Sequence, residues 1–196
     1  MKRKSVVDTI NQLLADWAAP REPTYLREAN LDIEMPERCM AEKLTGPRLF
    51  SHPIPDDLRE FWTNYHSARL FEDVNYGQWG LILLDYDTST QRTGEFFLER
   101  AKDSLPGDRV IGQFIGDQDL LVMRCDPAES DFGSILVALR DGLRKEWYHR
   151  VADSLSSFLE EYASYDGQKY WEAQFKGRRE SPESSAGGHM PPGGAE

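Results

Sequence analysis

The sequence predicts an α+β fold: an antiparallel β-sheet of about four to six strands packed by helices. Three observations carry this reading. First, residues 107–125, GDRVIGQFIGDQDLLVMRC, hold two short apolar runs, Val110, Ile111, Phe114 and Ile115 and then Leu120, Leu121, Val122 and Met123, with Gly116, Asp117, Gln118 and Asp119 between them. That is the pattern of a β-hairpin. Both runs are nearly continuous in apolar residues, as expected of central strands covered on both faces. Second, stretches near both ends of the chain repeat apolar residues at helical spacing. Third, further short apolar runs bounded by turn residues supply more strands.

In chain order, Ser5 with Asp8 three residues on predicts a capped helix start, and Val6, Ile10, Leu13, Leu14 and Trp17 lie along one face until Pro20. Residues 19–35 are irregular, with Tyr25, Leu26, Leu31 and Ile33 as anchors. Residues 36–44 read as a short helix ending at Gly46, with Pro36 in the first turn and Glu37 at the positive end of the dipole. Pro55, Asp56 and Asp57 open another helix, whose buried side carries Leu58, Phe61, Trp62 and Tyr65. Extended chain begins at residues 69–71, followed by a turn at Asn75, Tyr76 and Gly77. Residues 79–85 form a strand, 87–92 a polar loop, and 95–102 a helix with Phe96, Phe97 and Ala101 facing inward. After the hairpin come a loop at 126–131, a strand at 135–139, a hairpin turn at Asp141 and Gly142, and a strand at 143–147. Asp153 or Ser154 caps the last helix, with Leu155, Phe158, Leu159 and Tyr162 buried. Tyr170 and Trp171 return to close the core.

The chain has 196 residues, enough for one domain without metal or disulfide staples. We expect that domain over residues 1–175 and, where Gly, Pro, Ser and Glu dominate, a disordered tail over 176–196. Thirty-four acidic and twenty-three basic residues give a formal net charge of −11, and residues 5–175 alone carry −14. Such a field repels nucleic acid and anionic membranes and favours basic partners. Two cysteines make no disulfide framework, and Cys125 reads as a small core residue. With no signal-peptide pattern and no apolar run of about 20 residues, the expected location is the cytoplasm.

Candidate chemistry is sparse. Asp117, Asp119, Asp126 and Asp131 could form a metal or acid/base site, but the first two fall in a turn, where aspartate bonds to local backbone. His52, His66, His149 and His189 share no metal spacing. The glycines at 107, 112 and 116 do not open a helix as a phosphate loop would. We expect no catalytic, cofactor-binding or metal residues. Tyr76 and Trp79 flank a glycine beside Glu72 and Asp73, a composition suited to a protein interface.

Four stretches, IPDDLREFW, ARLFEDVNYGQWGLILLD, GDRVIGQFIGDQDLLVMRCD and WYHRVADSLSSFLEEYASYDGQKYW, together resemble the SUKH superfamily of Smi/Knr-type cell-wall regulators and bacterial immunity proteins. They span about residues 54–171, and residues 20–50 match poorly. Where members place Asn-Gly after the first of these helices, this chain has Tyr65, His66 and Ser67. The resemblance implies an α+β fold and a non-enzymatic protein without cofactor. It implies an immunity protein that binds and neutralises a cognate toxin, often a nuclease or deaminase, of a polymorphic toxin system. The partner is then a basic toxin domain, with Glu72, Asp73, Tyr76, Asp117 and Asp119 as contact candidates and neither nucleic acid nor membrane as partner. An intracellular regulatory or scaffold module of the Smi/Knr type is the alternative, and an acidic-site hydrolase a third reading. The oligomeric state stays open.

Overall fold

The computed structural model describes residues 4–24 and 33–172. The expected anchors Tyr25, Leu26 and Leu31 and the expected disordered tail therefore lie outside the described residues. Among these are four α-helices, α1 (Val6–Asp16), α2 (Asp56–Asn64), α3 (Tyr86–Glu99) and α4 (Leu155–Ser164), and one 3-10 turn, Arg144–Glu146. Seven strands, β1 (Glu37–Lys43), β2 (Tyr65–Asp73), β3 (Leu81–Leu83), β4 (Asp108–Phe114), β5 (Leu120–Arg124), β6 (Ile135–Ala138) and β7 (Tyr148–Ala152), make one sheet. Strand order follows chain order, and every neighbouring pair is antiparallel. The fold class is as the sequence predicts, with one strand more than the upper expectation.

The hairpin of the sequence is the centre of this sheet, and both its faces are buried. Against one face lie α1, α2 and α4, with Ile111, Phe114, Leu121 and Met123 pointing into the larger core. Against the other lies α3, whose Phe96 packs with Val110, Val122, Leu136 and Trp147. This two-sided burial explains why β4 and β5 read as continuous apolar runs.

Helix starts follow the local chemistry. The Ser5 hydroxyl accepts the Asp8 N–H at 3.1 Å, and the Ser154 hydroxyl accepts the Ser157 N–H at 3.3 Å, each satisfying a donor left free by the first helical turn. Helix α2 passes directly into β2 at Tyr65, so no separate turn stands at Tyr65, His66 and Ser67.

Four expectations are corrected. Residues 36–44 are not a helix but the edge strand β1. Glu37 and Cys39 are buried in alternation, and the outer edge is bonded by Arg21, through two backbone bonds with Glu37 of 2.9 and 3.0 Å, and by the Trp17 carbonyl. Pairing on both sides overrides a modest helical propensity. Residues 87–92 are not a loop but the first half of α3, capped by Asp85, which accepts the N–H groups of Asp87 and Thr88 at 2.9 Å. The Ser/Thr-rich stretch serves the sheet. Ser89 donates to the Val110 carbonyl at 2.6 Å and Thr93 accepts the Val110 N–H at 3.0 Å, at the irregular step of the β4–β5 pairing between Val110 and Gly112. Helix α3 accordingly ends at Glu99, and Ala101 is exposed. Residues 143–147 hold the 3-10 turn, and the strand falls at Tyr148–Ala152. The strand expected over residues 79–85 is only Leu81–Leu83.

A buried ion network closes the end of the sheet where β4 begins. Asp108, whose side chain is 0% exposed, pairs with Arg124 at 2.7 Å and Arg144 at 2.6 Å, and Arg124 reaches Asp131 at 3.0 Å. On the α1 and α4 face, Phe71 takes a left-handed backbone (φ 53°) and is pressed between Trp17 at 4.9 Å and Tyr162 at 5.3 Å between ring centroids. Its N–H donates to the Cys39 sulfur at 3.2 Å. Gly167 (φ 78°) covers the same ring so closely that a Cβ there would lie 2.4 Å from Phe71 Cγ.

Three outcomes test this account. Asp108→Ala leaves two arginines without their shared anion and should lower the unfolding free energy by about 3–5 kcal/mol in a urea titration. Arg150→Ala, which opens an ion pair exposed on both sides, should leave the midpoint where it is; equal midpoints for the two variants would remove the network from the account. Gly167→Ala should destabilise by about 1–3 kcal/mol through overpacking, and a neutral result would mean that Phe71 has another place to go. Burial pushes both the Cys39 and Cys125 thiols up to about 12, so near neutral pH neither forms the reactive thiolate. An aromatic disulfide reagent should find no fast-reacting thiol in the folded chain and two after guanidinium unfolding.

Candidate functional site

A meander of antiparallel strands puts alternate connections at the same end. The β2–β3 loop (residues 74–80), the β4–β5 turn (115–119) and the β6–β7 connection (139–147) therefore meet at one edge of the molecule. All five contact candidates are there. They do different things.

Asp73, the last residue of β2, is 1% exposed, and its carboxylate accepts the N–H groups of Asn75 at 2.9 Å and Tyr76 at 3.1 Å. It holds the loop, and Tyr76 at the tip is 60% exposed. Glu72 faces β1 and β2, paired with Arg69 and 3.7 Å from Arg38. Trp79, expected beside Tyr76 as an exposed anchor, is half-buried.

The β4–β5 turn meets this loop through Gly116. Its backbone has φ 92°, and a Cβ there would stand 2.3 Å from the Gln78 carbonyl oxygen, so only glycine allows the two connections to touch. Asp117 accepts the Asp119 N–H at 3.2 Å, the local bond expected of a turn aspartate. Asp119 accepts the Arg140 N–H at 2.9 Å, which ties the turn to the β6–β7 connection.

Lys169 draws these carboxylates together. Its side chain is 8% exposed, paired with Asp117, and its Nζ lies 3.5 Å from Asp119 and 5.1 Å from the Phe114 ring centroid. Burial pushes the Asp119 carboxyl up, opposed by the Arg140 N–H and helped by the charges of Glu172 and Asp141. Burial likewise pushes the Lys169 ammonium down, opposed by Glu172. The sequence argument missed Lys169. The signal was its position: the residue before an aromatic pair that must reach the core has to run along the core surface itself.

Beside this group opens a cleft of about 860 Å³, whose lining includes the carboxylates of Asp117, Asp119, Asp141 and Glu146, the rings of Trp147 and Tyr148, and the cations Arg140 and Lys145. Asp126 and Asp131 belong to the β5–β6 loop at the opposite end, where Asp126 accepts the Ala128 N–H and Asp131 pairs with Arg124. The four aspartates noted in the sequence thus do not assemble. Among the described residues no three His, Cys, Asp or Glu side chains gather as metal ligands would, and no helix is long and apolar enough to cross a membrane.

The arrangement is a surface of carboxylates bonded to backbone N–H groups, with the exposed Tyr76 and a polar cleft next to it. Comparison with known proteins gives one finding. No curated protein and no solved structure matches the chain. A family model, however, matches residues 48–161, more than half of the sequence, from just before α2 into α4. It leaves outside α1, β1 and the segment that carries Lys169. With the antiparallel sheet and helices already described, that match places the chain in the SMI1 / KNR4 family (SUKH-1).

Proposed function

We propose that this protein is a non-enzymatic binding domain acting as an immunity protein: it binds a basic toxin domain in the cytoplasm and blocks it by occupying the toxin's active surface. The observation that carries this reading is the meeting of Tyr76, Asp117, Asp119 and the charged cleft at one end of the sheet, in a chain whose formal net charge is −11. An acidic surface accelerates encounter with a basic partner. An exposed tyrosine on a loop fixed by Asp73 supplies a rigid aromatic anchor, the kind of residue that dominates interface energies. The fixed carboxylates add little ordering cost on binding, because backbone N–H groups and Lys169 already hold them.

The test is capture of the tagged protein's partner from its own cells at low and high salt. One basic, toxin-like chain whose binding weakens with salt and whose toxicity the protein relieves on co-expression supports the reading. Recovery of signalling proteins alone would favour the Smi/Knr-type regulatory module instead. With the partner in hand, the double variant Tyr76→Ala, Glu72→Ala should lose about 2 kcal/mol of binding, roughly thirty-fold in Kd, with folding intact by circular dichroism. Unchanged affinity would exclude this end of the sheet as the contact.

A further inference from the structure

Arg109, the second residue of β4, is 8% exposed and forms no ion pair among the described residues. Its neighbour Asp108 is already shared by Arg124 and Arg144. The Arg109 guanidinium donates to the Thr90 hydroxyl at 2.7 Å, but its Nε–H is buried without an acceptor. Its central carbon lies 5.1 Å from the ring centroids of both Trp62 and Tyr86. Ring faces attract a guanidinium's charge and accept none of the N–H bonds in its plane. Buried charges are as a rule paired, so an arginine kept in this state calls for an anion from outside the fold.

Access is through Tyr86, which is half-buried at the start of α3. Ser51, which is exposed, donates its N–H to the Tyr86 hydroxyl at 3.4 Å, and the two hydroxyls share a hydrogen bond of 3.0 Å. The Ser51 hydroxyl and, beyond it, the charge of Arg109 pull the Tyr86 phenol below its ordinary range against the effect of burial. A second guanidinium, that of Arg48, stands 5.5 Å from the same ring centroid. Its carboxylate partner, Asp87, is 3.5 Å away with a side chain 80% exposed, while Asp85 is committed to the first turn of α3. Two guanidiniums and two hydroxyls thus gather about one ring in a strongly acidic chain. Donors arriving from separate side chains suit a tetrahedral oxyanion, whereas a planar carboxylate is satisfied by a single guanidinium fork.

We propose that Arg109 and Arg48, with the hydroxyls of Ser51 and Tyr86, form a binding site for a phosphate-type oxyanion, either free or as a monoester. Arg109 supplies a charge held in place by Thr90 and two rings, so it loses little freedom on binding. Arg48 exchanges the exposed carboxylate of Asp87 for the anion. The site lies where β4 begins, at the opposite end of the sheet from Tyr76 and the β4–β5 turn. It is therefore independent of the partner reading given above, and an anion bound here leaves the Tyr76 end open.

The experiment titrates the full, nitrogen-15-labelled chain with inorganic phosphate at fixed pH and ionic strength, chloride making up the difference. The amide signals of Ser51 and Thr90 and the Nε–H signal of Arg109 should move along one saturable curve, while those of Tyr76 and Gly116 stay in place. Glycerol 2-phosphate is titrated alongside: tighter binding than inorganic phosphate identifies a monoester as the ligand and weaker binding the free anion, and both support the site. Arg109→Gln should lose about tenfold in affinity. Should that variant not fold, Arg48→Gln and Ser51→Ala carry the test, each with a severalfold loss. Asp87→Asn should bind severalfold tighter, since Arg48 then has no competing carboxylate. Acetate acting on the same signals with equal affinity would overturn the assignment to a tetrahedral anion. Shifts that do not saturate, shifts spread over the whole surface, or affinity unchanged in both Arg48→Gln and Ser51→Ala would overturn the site itself.

Discussion

The fold turns on the placement of Phe71. Its ring is shared by α1 through Trp17 and by α4 through Tyr162, while its backbone belongs to β2. A bulky residue in the left-handed region costs on the order of 1–3 kcal/mol, and it persists because the surroundings fix it from every side: the Cys39 sulfur takes its N–H, and Gly167 closes over the ring with no side chain of its own. That last contact reaches beyond packing. Gly167 stands between α4 and Lys169, so the cover over Phe71 also sets where the chain turns back along the sheet. Trp171 then inserts beside Phe114 and Phe158, and Lys169 arrives on the β4–β5 turn. A core contact on one face thereby positions the charged group at the loop end.

The same economy governs the carboxylates. Asp108 and Asp73 are buried and belong to the frame, the one balancing two arginines and the other bonding a loop. Asp119 is intermediate in role, holding the β6–β7 connection while facing the cleft. Asp141 and Glu146 line the cleft from an exposed segment. Net charge counts all of these alike, although Asp108 is balanced by Arg124 and Arg144 at contact distance while Asp73 keeps an unbalanced charge held by backbone N–H groups alone.

Much of this was legible in the sequence, and what was not has a common cause. The central hairpin, the Ser5 and Ser154 caps and the return of Tyr170 and Trp171 depend on local pattern and burial, which periodicity reports directly. Residues 36–44 and 87–92 were misread because their structure is decided by distant partners: Arg21, Trp17 and β2 make β1 a strand, and the carbonyl and N–H of Val110 give Ser89 and Thr93 their reason to lie on a helix. A polar Ser/Thr stretch looks like a loop when its bonding partner is twenty residues away. For the site, the residue types were visible but not their division of labour. Asp73 and Asp119 look like Asp117 in a sequence, and only the register of the sheet makes one a loop brace, one a tie and one a surface charge.

The boundary of the family match sharpens this point. The matched span holds α2 to most of α4 and with them the β2–β3, β4–β5 and β6–β7 connections. The lysine that organises two of those connections, and the glycine that places it, fall after the span ends. The carboxylates that line the cleft, Asp117, Asp119, Asp141 and Glu146, lie inside the matched span, whereas Lys169, which pairs with Asp117, lies after it. A change at the loop tips or in the segment after α4 would alter the charge of this end of the sheet without disturbing the two-sided burial of β4 and β5 on which folding depends.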